Sequence, residues 1–204
     1  MKVIGVAGFA RAGKDTFVSI AIDILKKNGI MGKQYSFAAA LKKELEPFVR
    51  DVCKSDVWTT DTETKTDMRD LLVWYGTTWW RKRDPKRWIR GVDLAIKAEK
   101  ENVAVALVSD VRYPNEGEWV HSWQGYLVHV AAYDPKLLPV KAFKTAPNEQ
   151  ERINDPIVKD QADYRLEWPA KGLTPEGAFN DLELRTAVLK ALNACDYFNE
   201  TLSL

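Results

Sequence analysis

Apolar positions change their spacing along this chain in a way that predicts strands alternating with helices. Val3–Ala7 is a short apolar run that stops at Gly8, as a strand buried on both faces of a parallel sheet does. Phe17, Ile20, Ala21, Ile24 and Leu25 then fall on one face of a helix, and Asn28-Gly29 gives its stop. Residues 34–37 can form a second strand, and 38–53 a helix with Pro47 as a kink or break. The polar, Thr- and Asp-rich stretch 54–64 reads as a loop. Two helices are predicted over 66–83 and 86–101, divided by Asp84-Pro85. Val103–Val108 carries the strongest strand signal, and Tyr113-Pro114 forces an extended exit from it. A short helix over 116–123 and a strand over 126–132 follow. Residues 133–162 have no convincing periodicity, which in a small domain marks a lid, a binding loop or disorder. A final strand is expected at 163–168. Leu184, Ala187, Val188, Ala191 and Leu192 give a closing amphipathic helix.

This alternation predicts a single α/β domain, a central parallel sheet flanked by helices. Its core would be 1–37, 102–132 and 163–204. A helical excursion, 38–101, and a lid-like segment, 133–162, would be inserted into it.

The chemistry starts where the first strand ends. Gly8-Phe9-Ala10-Arg11-Ala12-Gly13-Lys14-Asp15-Thr16 fits GxxxxGK in a strand–loop–helix setting. Glycines let backbone N–H groups turn inward around phosphate oxygens, and the helix N-terminus adds its positive end. Lys14 can then reach the β- and γ-phosphates of a nucleotide. The usual Ser or Thr after the Lys is replaced by Asp15. A carboxylate could hold Mg²⁺ directly or through water, and Thr16 could supply a hydroxyl one position later. A second acid, Asp110, ends the apolar run 103–108, and ligands collect at the carboxyl ends of parallel strands. There it could orient Mg²⁺ or meet substrate. Arg112, two residues on, could clamp a phosphate bidentately.

Composition narrows the partners. The chain is 46% hydrophobic and 29% charged with formal charge +1, so a protein that coats nucleic acid through its overall field is excluded. The neutral total hides a basic segment, Arg81–Arg90, with six bases and one acid. Two Cys and two His argue against a structural zinc site and for a reducing, cytoplasmic setting. No apolar run approaches the roughly 20 residues that span a bilayer, so no membrane partner is expected. The opening MKVIGVAGFA is broken by Gly5 and Gly8 and reads as a strand rather than a signal peptide. Five of the eight Trp fall between residues 58 and 88, where they could pack a core, stack on a base or permit a homodimer.

Three local signatures together resemble the phage deoxynucleoside monophosphate kinase family, in the P-loop nucleoside monophosphate kinase-like group. They are the GxxxxGKDT loop, the segment Ser109-Asp110-Val111-Arg112-Tyr113-Pro114-Asn115-Glu116, and the run Met68-Arg69-Asp70-Leu71-Leu72, Gly76-Thr77, Arg81, Trp88. Residues 162–164 and the closing helix match more loosely. The resemblance implies a P-loop kinase fold and transfer of a phosphoryl group from ATP, with Mg²⁺, to a deoxynucleoside monophosphate. It makes 38–101 the acceptor-binding part, with Arg69, Gly76, Thr77, Arg81 and Trp88 as substrate positions beside Asp110 and Arg112. Arg69 and Arg81 would take the acceptor phosphate, and Trp88 would stack on the base. Gly8 to Thr16 would hold ATP, with Lys14, Asp110 and Arg112 in catalysis and Asp15, Thr16 and Asp110 on the metal. Arg152 is the candidate lid residue. The competing readings are another small-molecule kinase, of phosphomevalonate or dephospho-coenzyme A type, and a nucleotide-binding ATPase without a small acceptor.

Overall fold

The computed structural model describes the chain apart from residues 60, 138, 140, 199 and 200 and the side chains of Thr62 and Pro175. It divides into two compact units, residues 1–35 with 99–204, and residues 36–98.

The first unit is built on a mostly parallel sheet. Strands β1 (Lys2–Ala7), β2 (Gly32–Tyr35), β3 (Val105–Val111), β4 (Tyr126–Asp134) and β6 (Tyr164–Pro169) lie in the order β2-β3-β1-β4-β6, all parallel. The short β5 (Ala142–Phe143) runs antiparallel to the end of β4, pairing at Tyr133 and Asp134. The inner strands are continuous apolar runs because both faces of the sheet are covered. One face packs on α1 (Lys14–Lys27) and α8 (Leu182–Asn193). There Ile4, Val6 and Leu107 meet Phe17, Ile20, Ile24, Val188 and Leu192. On the other face, Val120 of α5 (Pro114–Ser122) lies against β1, where a side chain added at Gly5 would meet it at 2.7 Å. The result is an α/β fold with a mostly parallel central sheet flanked by helices and a glycine loop between β1 and α1, as the sequence predicts. Among the described residues no helix is long and apolar enough to cross a membrane.

The largest departure lies in 133–162, of which 138 and 140 fall outside the described residues. This stretch continues β4, adds β5, and then forms a 13-residue helix, α6 (Glu149–Gln161). Its buried positions are Glu151, Asp155 and Val158. They recur at i, i+4 and i+7, a helical face, but two of the three are acids, so hydrophobic periodicity does not register it. Pro156 inside the helix removes a second cue. A short α7 (Pro175–Asn180), capped by Thr174, also goes unpredicted.

The second unit is helical: α2 (Phe37–Asp51), α3 (Thr62–Val73) and α4 (Arg87–Glu99), whose last residue falls in the first unit. Pro47 lies inside α2 and does not end it. Leu45, Val49, Val57 and Met68 form the small core. Residues 74–81, expected as plain α-helix, wind as a π-helix that continues α3. The π turn is wider and slower than the α turn and is seldom this long without a reason. Gly76 within it is buried, and a side chain there would meet Leu41 at 2.2 Å.

Two outcomes follow from this packing. Gly76→Ala sets a methyl group against the Leu41 side chain, which must turn aside, and should cost about 1–3 kcal/mol in urea unfolding. Tyr35, buried and donating to Glu99 at 3.0 Å, has its phenol pushed up to about 12 by burial and by that carboxylate. Its folded pKa lies above the unfolded one, so its contribution is full below the ordinary value of 10 and is lost as pH rises through 12. An absorbance titration of the folded chain minus that of Tyr35→Phe should isolate a phenol ionising near 12.

Candidate functional site

The loop between β1 and α1 is shaped by what lies against it. Gly8 has φ 129°, and a Cβ there would sit 2.1 Å from the Val130 carbonyl oxygen of β4. Gly13 has φ 91°, and a Cβ there would meet the Trp168 ring of β6 at 2.6 Å. The Trp168 indole N–H donates to Ala12 O at 2.8 Å, so β6 braces the loop by contact and by hydrogen bond. Arg11, between the glycines, also takes a left-handed conformation at φ 64°. Successive turns of this kind fold backbone N–H groups into a concave nest suited to an anion.

Lys14 opens α1 and is 8% exposed. Its Nζ donates to Gly8 O at 2.7 Å and Phe9 O at 2.9 Å, which uses two of its three N–H donors. Burial, and then the nearby Arg112 charge, hold its pKa below the ordinary lysine value, while Glu151, Asp15 and Asp110 oppose the shift. A cation held down by burial gains strongly from a buried anion beside it.

The third-strand segment adds its part. Asp110 lies within β3, one residue before its end, and is half-buried. Ser109 Oγ accepts from Gln34 Nε2 at 2.9 Å, and the same Nε2 lies 3.3 Å from Asp15 Oδ1. Glu116, 1% exposed, accepts the backbone N–H groups of Arg112 at 2.8 Å and Tyr113 at 3.1 Å. This carboxylate fixes the turn after β3 and so aims Arg112. The structure thus gathers Gly8 to Thr16, Asp110 and Arg112 at the carboxyl end of one sheet.

Asp15, Thr16 and Asp110 offer oxygen ligands of the kind Mg²⁺ takes. Among the described residues no group of three or more His, Cys, Asp or Glu converges as a ready-made metal site.

Helix α6 reaches the same loop through residues that sequence reasoning misses. Glu151, 6% exposed, accepts the Ala10 N–H on Oε2 at 2.8 Å and pairs through Oε1 with Arg112 Nη1 at 3.0 Å. Lys144, just past β5, donates to Arg11 O at 3.0 Å. Asp155 faces the buried His129 of β4, with both oxygens 3.1 Å from Nε2. Arg152, the lid residue expected from sequence, points outward and pairs with Glu149 on the exposed side of the helix. One residue apart on a helix is about 100° of rotation, enough to exchange the site for solvent.

The remaining predicted residues belong to the helical unit. Trp88 is 4% exposed; its indole N–H donates to Gly76 O at 3.0 Å and its ring lies 6.2 Å from that of Tyr75. It therefore packs as core and leaves little face for a base, and Gly76 serves as a close-packing position and acceptor. Arg87, Glu44 and Tyr75 form an adjacent polar cluster, with the Arg87 guanidinium 3.6 Å above Trp80. Arg69 is exposed, while Thr77 and Arg81 are half-buried. In α winding throughout, Arg81 would lie about 120° round the helix from Arg69. Eight residues of π winding, at roughly 80° each, bring it back to within about 40°. Arg69, Thr77 and Arg81 thus share one stripe.

No family model matches the chain, and no curated protein matches it. Solved structures do align over nearly its whole length. A shikimate kinase from Acinetobacter baumannii in complex with shikimate is 15% identical, covering 95% of this chain and 92% of that one, with TM-score 0.45. An unliganded sugar kinase from Janibacter sp. HTCC2649 is 11% identical over 96% of each chain, with TM-score 0.44. TT1252 from Thermus thermophilus is 15% identical over 94% of this chain and 95% of that one, with TM-score 0.47.

The brace under the loop gives a direct expectation. Trp168→Phe removes the N–H to Ala12 O and the edge of the indole that lies against Gly13. The loss should be about 1–3 kcal/mol in stability, with weaker binding of triphosphate in calorimetry of the folded variant.

Proposed function

We propose that this chain is a phosphotransferase that moves the γ-phosphoryl group of ATP to the phosphate of a deoxynucleoside monophosphate. One observation carries the reading: a left-handed loop at Gly8, Arg11 and Gly13 leading into a buried Lys14, at the carboxyl end of a parallel sheet. Backbone N–H groups and an ammonium converging in a sheltered concavity bind a polyphosphate and do little else as well.

In this reading the nest cradles the phosphates, and the third N–H of Lys14 goes to a phosphate oxygen. Arg112, aimed by Glu116, neutralises charge that develops as the phosphoryl group leaves. Mg²⁺, when bound, supplies further charge neutralisation on the phosphates, with Asp15, Thr16 and Asp110 as its protein ligands. An acceptor phosphate is already ionised at neutral pH, so no general base is required, and the chain's task is positioning. The stripe Arg69–Thr77–Arg81 supports a phosphate-bearing acceptor, because two guanidinium groups and a hydroxyl on one helix face suit an anion of about −2 charge. With Trp88 in the core, the base must be read by other side chains.

The test is a coupled ADP-release assay over dGMP, dTMP, dCMP, dAMP and their ribose counterparts. At least one should support turnover well above the acceptor-free rate; ATP consumption independent of any acceptor would point to an ATPase instead. Lys14→Ala should lower turnover by orders of magnitude in a folded chain. Arg81→Ala should raise the KM for the monophosphate at least tenfold and leave ATP binding intact, and an unchanged KM would remove Arg81 from the acceptor site.

A further inference from the structure

The phosphate nest holds an anion, and that anion belongs to the protein. A single carboxylate, Glu151, takes the Ala10 N–H of the loop through one oxygen and the Arg112 guanidinium through the other. Its charge also bears on Lys14. It is therefore bonded to two of the donors that the proposal above assigns to nucleotide phosphates, and its charge acts on the third. The one Ala10 N–H cannot serve a carboxylate and a phosphate oxygen at full strength at once, and two anions side by side on the loop repel; the Arg112 guanidinium, of whose five N–H groups Glu151 takes one, is contested through charge.

The helix that carries Glu151 is built to release it. Glu151 sits in the first turn of α6, and its ties there are to the capping residue: its N–H donates to Asn148 Oδ1 at 2.9 Å, and Asn148 Nδ2 lies 3.3 Å from Glu151 Oε1. One turn later Asp155 bonds the buried His129, and Val158 is sunk in the core. Between the two stands Pro156, which has no N–H to give the carbonyl of Arg152. The first turn is thus joined to the anchored turns by one fewer hydrogen bond than a regular helix has.

We propose that Glu151 is the resident anion and gate of the nucleotide site: triphosphate binding displaces its carboxylate, which hands the Ala10 N–H and Arg112 to the terminal phosphate. The contact is self-inhibiting, and it sets affinity by competition. It rests on the reading of the loop as a nucleotide site, so the experiment separates the two.

Mg·ATP binding is measured by calorimetry for the unmodified chain, Glu151→Gln, Glu151→Asp and Lys14→Ala, with thermal melts to confirm folding. Glu151→Gln keeps the shape and removes the competing charge; it should bind about tenfold more tightly than the unmodified chain, and the shorter Glu151→Asp should fall between. Equal or weaker binding by a folded Glu151→Gln, with Lys14→Ala still impaired, overturns the gate and makes Glu151 a brace for the loop. Failure of Lys14→Ala to weaken binding overturns the nucleotide-site reading, and the gate with it. If Glu151→Gln does not fold, amide exchange of residues 149–152 in the unmodified chain decides. Faster exchange at saturating ATP supports displacement, and unchanged or slower exchange overturns it.

Discussion

The close approach of the glycine loop to the two strands beside it is the constraint on which the rest of the structure depends. Gly8 lies so near the Val130 carbonyl, and Gly13 so near the Trp168 ring, that any side chain at either position collides. The loop is therefore pressed into one shape by β4 and β6, elements more than a hundred residues away in sequence. That shape turns N–H groups inward and places Lys14 under cover. Parallel strand order follows from the same need, since only a sheet with its carboxyl ends aligned brings Asp110, Arg112 and the loop to one edge.

Placing cations and N–H donors in a sheltered site creates a charge that has to be balanced. The chain as a whole is nearly neutral, and the balance is struck locally. Glu151 offsets Arg112 and the Ala10 N–H, Glu116 takes the N–H groups after β3, and Asp155 partners His129. Each of these carboxylates is buried, and each has a partner, as low-dielectric surroundings require. The helical unit shows the complementary device. There a stretch of π winding reconciles packing at Gly76, where a helix must come close to Leu41, with a single stripe for Arg69, Thr77 and Arg81.

The residues that can be read without a structure are those whose chemistry is tied to local spacing. Gly8, Gly13 and Lys14 announce the tight loop between β1 and α1 because the glycines and the Lys must stand at fixed intervals on one turn. The strands β1 and β3 announce themselves by unbroken apolar runs, and α1 and α8 by their apolar faces. The parts that escape notice have polar inner surfaces. The buried face of α6 is acidic because it meets N–H groups, a guanidinium and an imidazole rather than side-chain carbons, and a hydrophobic pattern cannot report it. Trp88 misleads for the opposite reason: its place in the motif run suggests stacking on a base, whereas its indole closes a core against Tyr75 and the Gly76 carbonyl.

By itself, the amino-acid order determined the α/β alternation, the glycine loop after β1, and the acid and arginine at the end of the third strand, because each depends on neighbours within about one helical turn or one strand. Only the tertiary structure decided that Trp168 supports the loop, that Glu151 rather than Arg152 enters it, and that Trp88 is sealed away. Those outcomes depend on which surface each helix turns inward, and that is set by contacts between residues far apart in the chain.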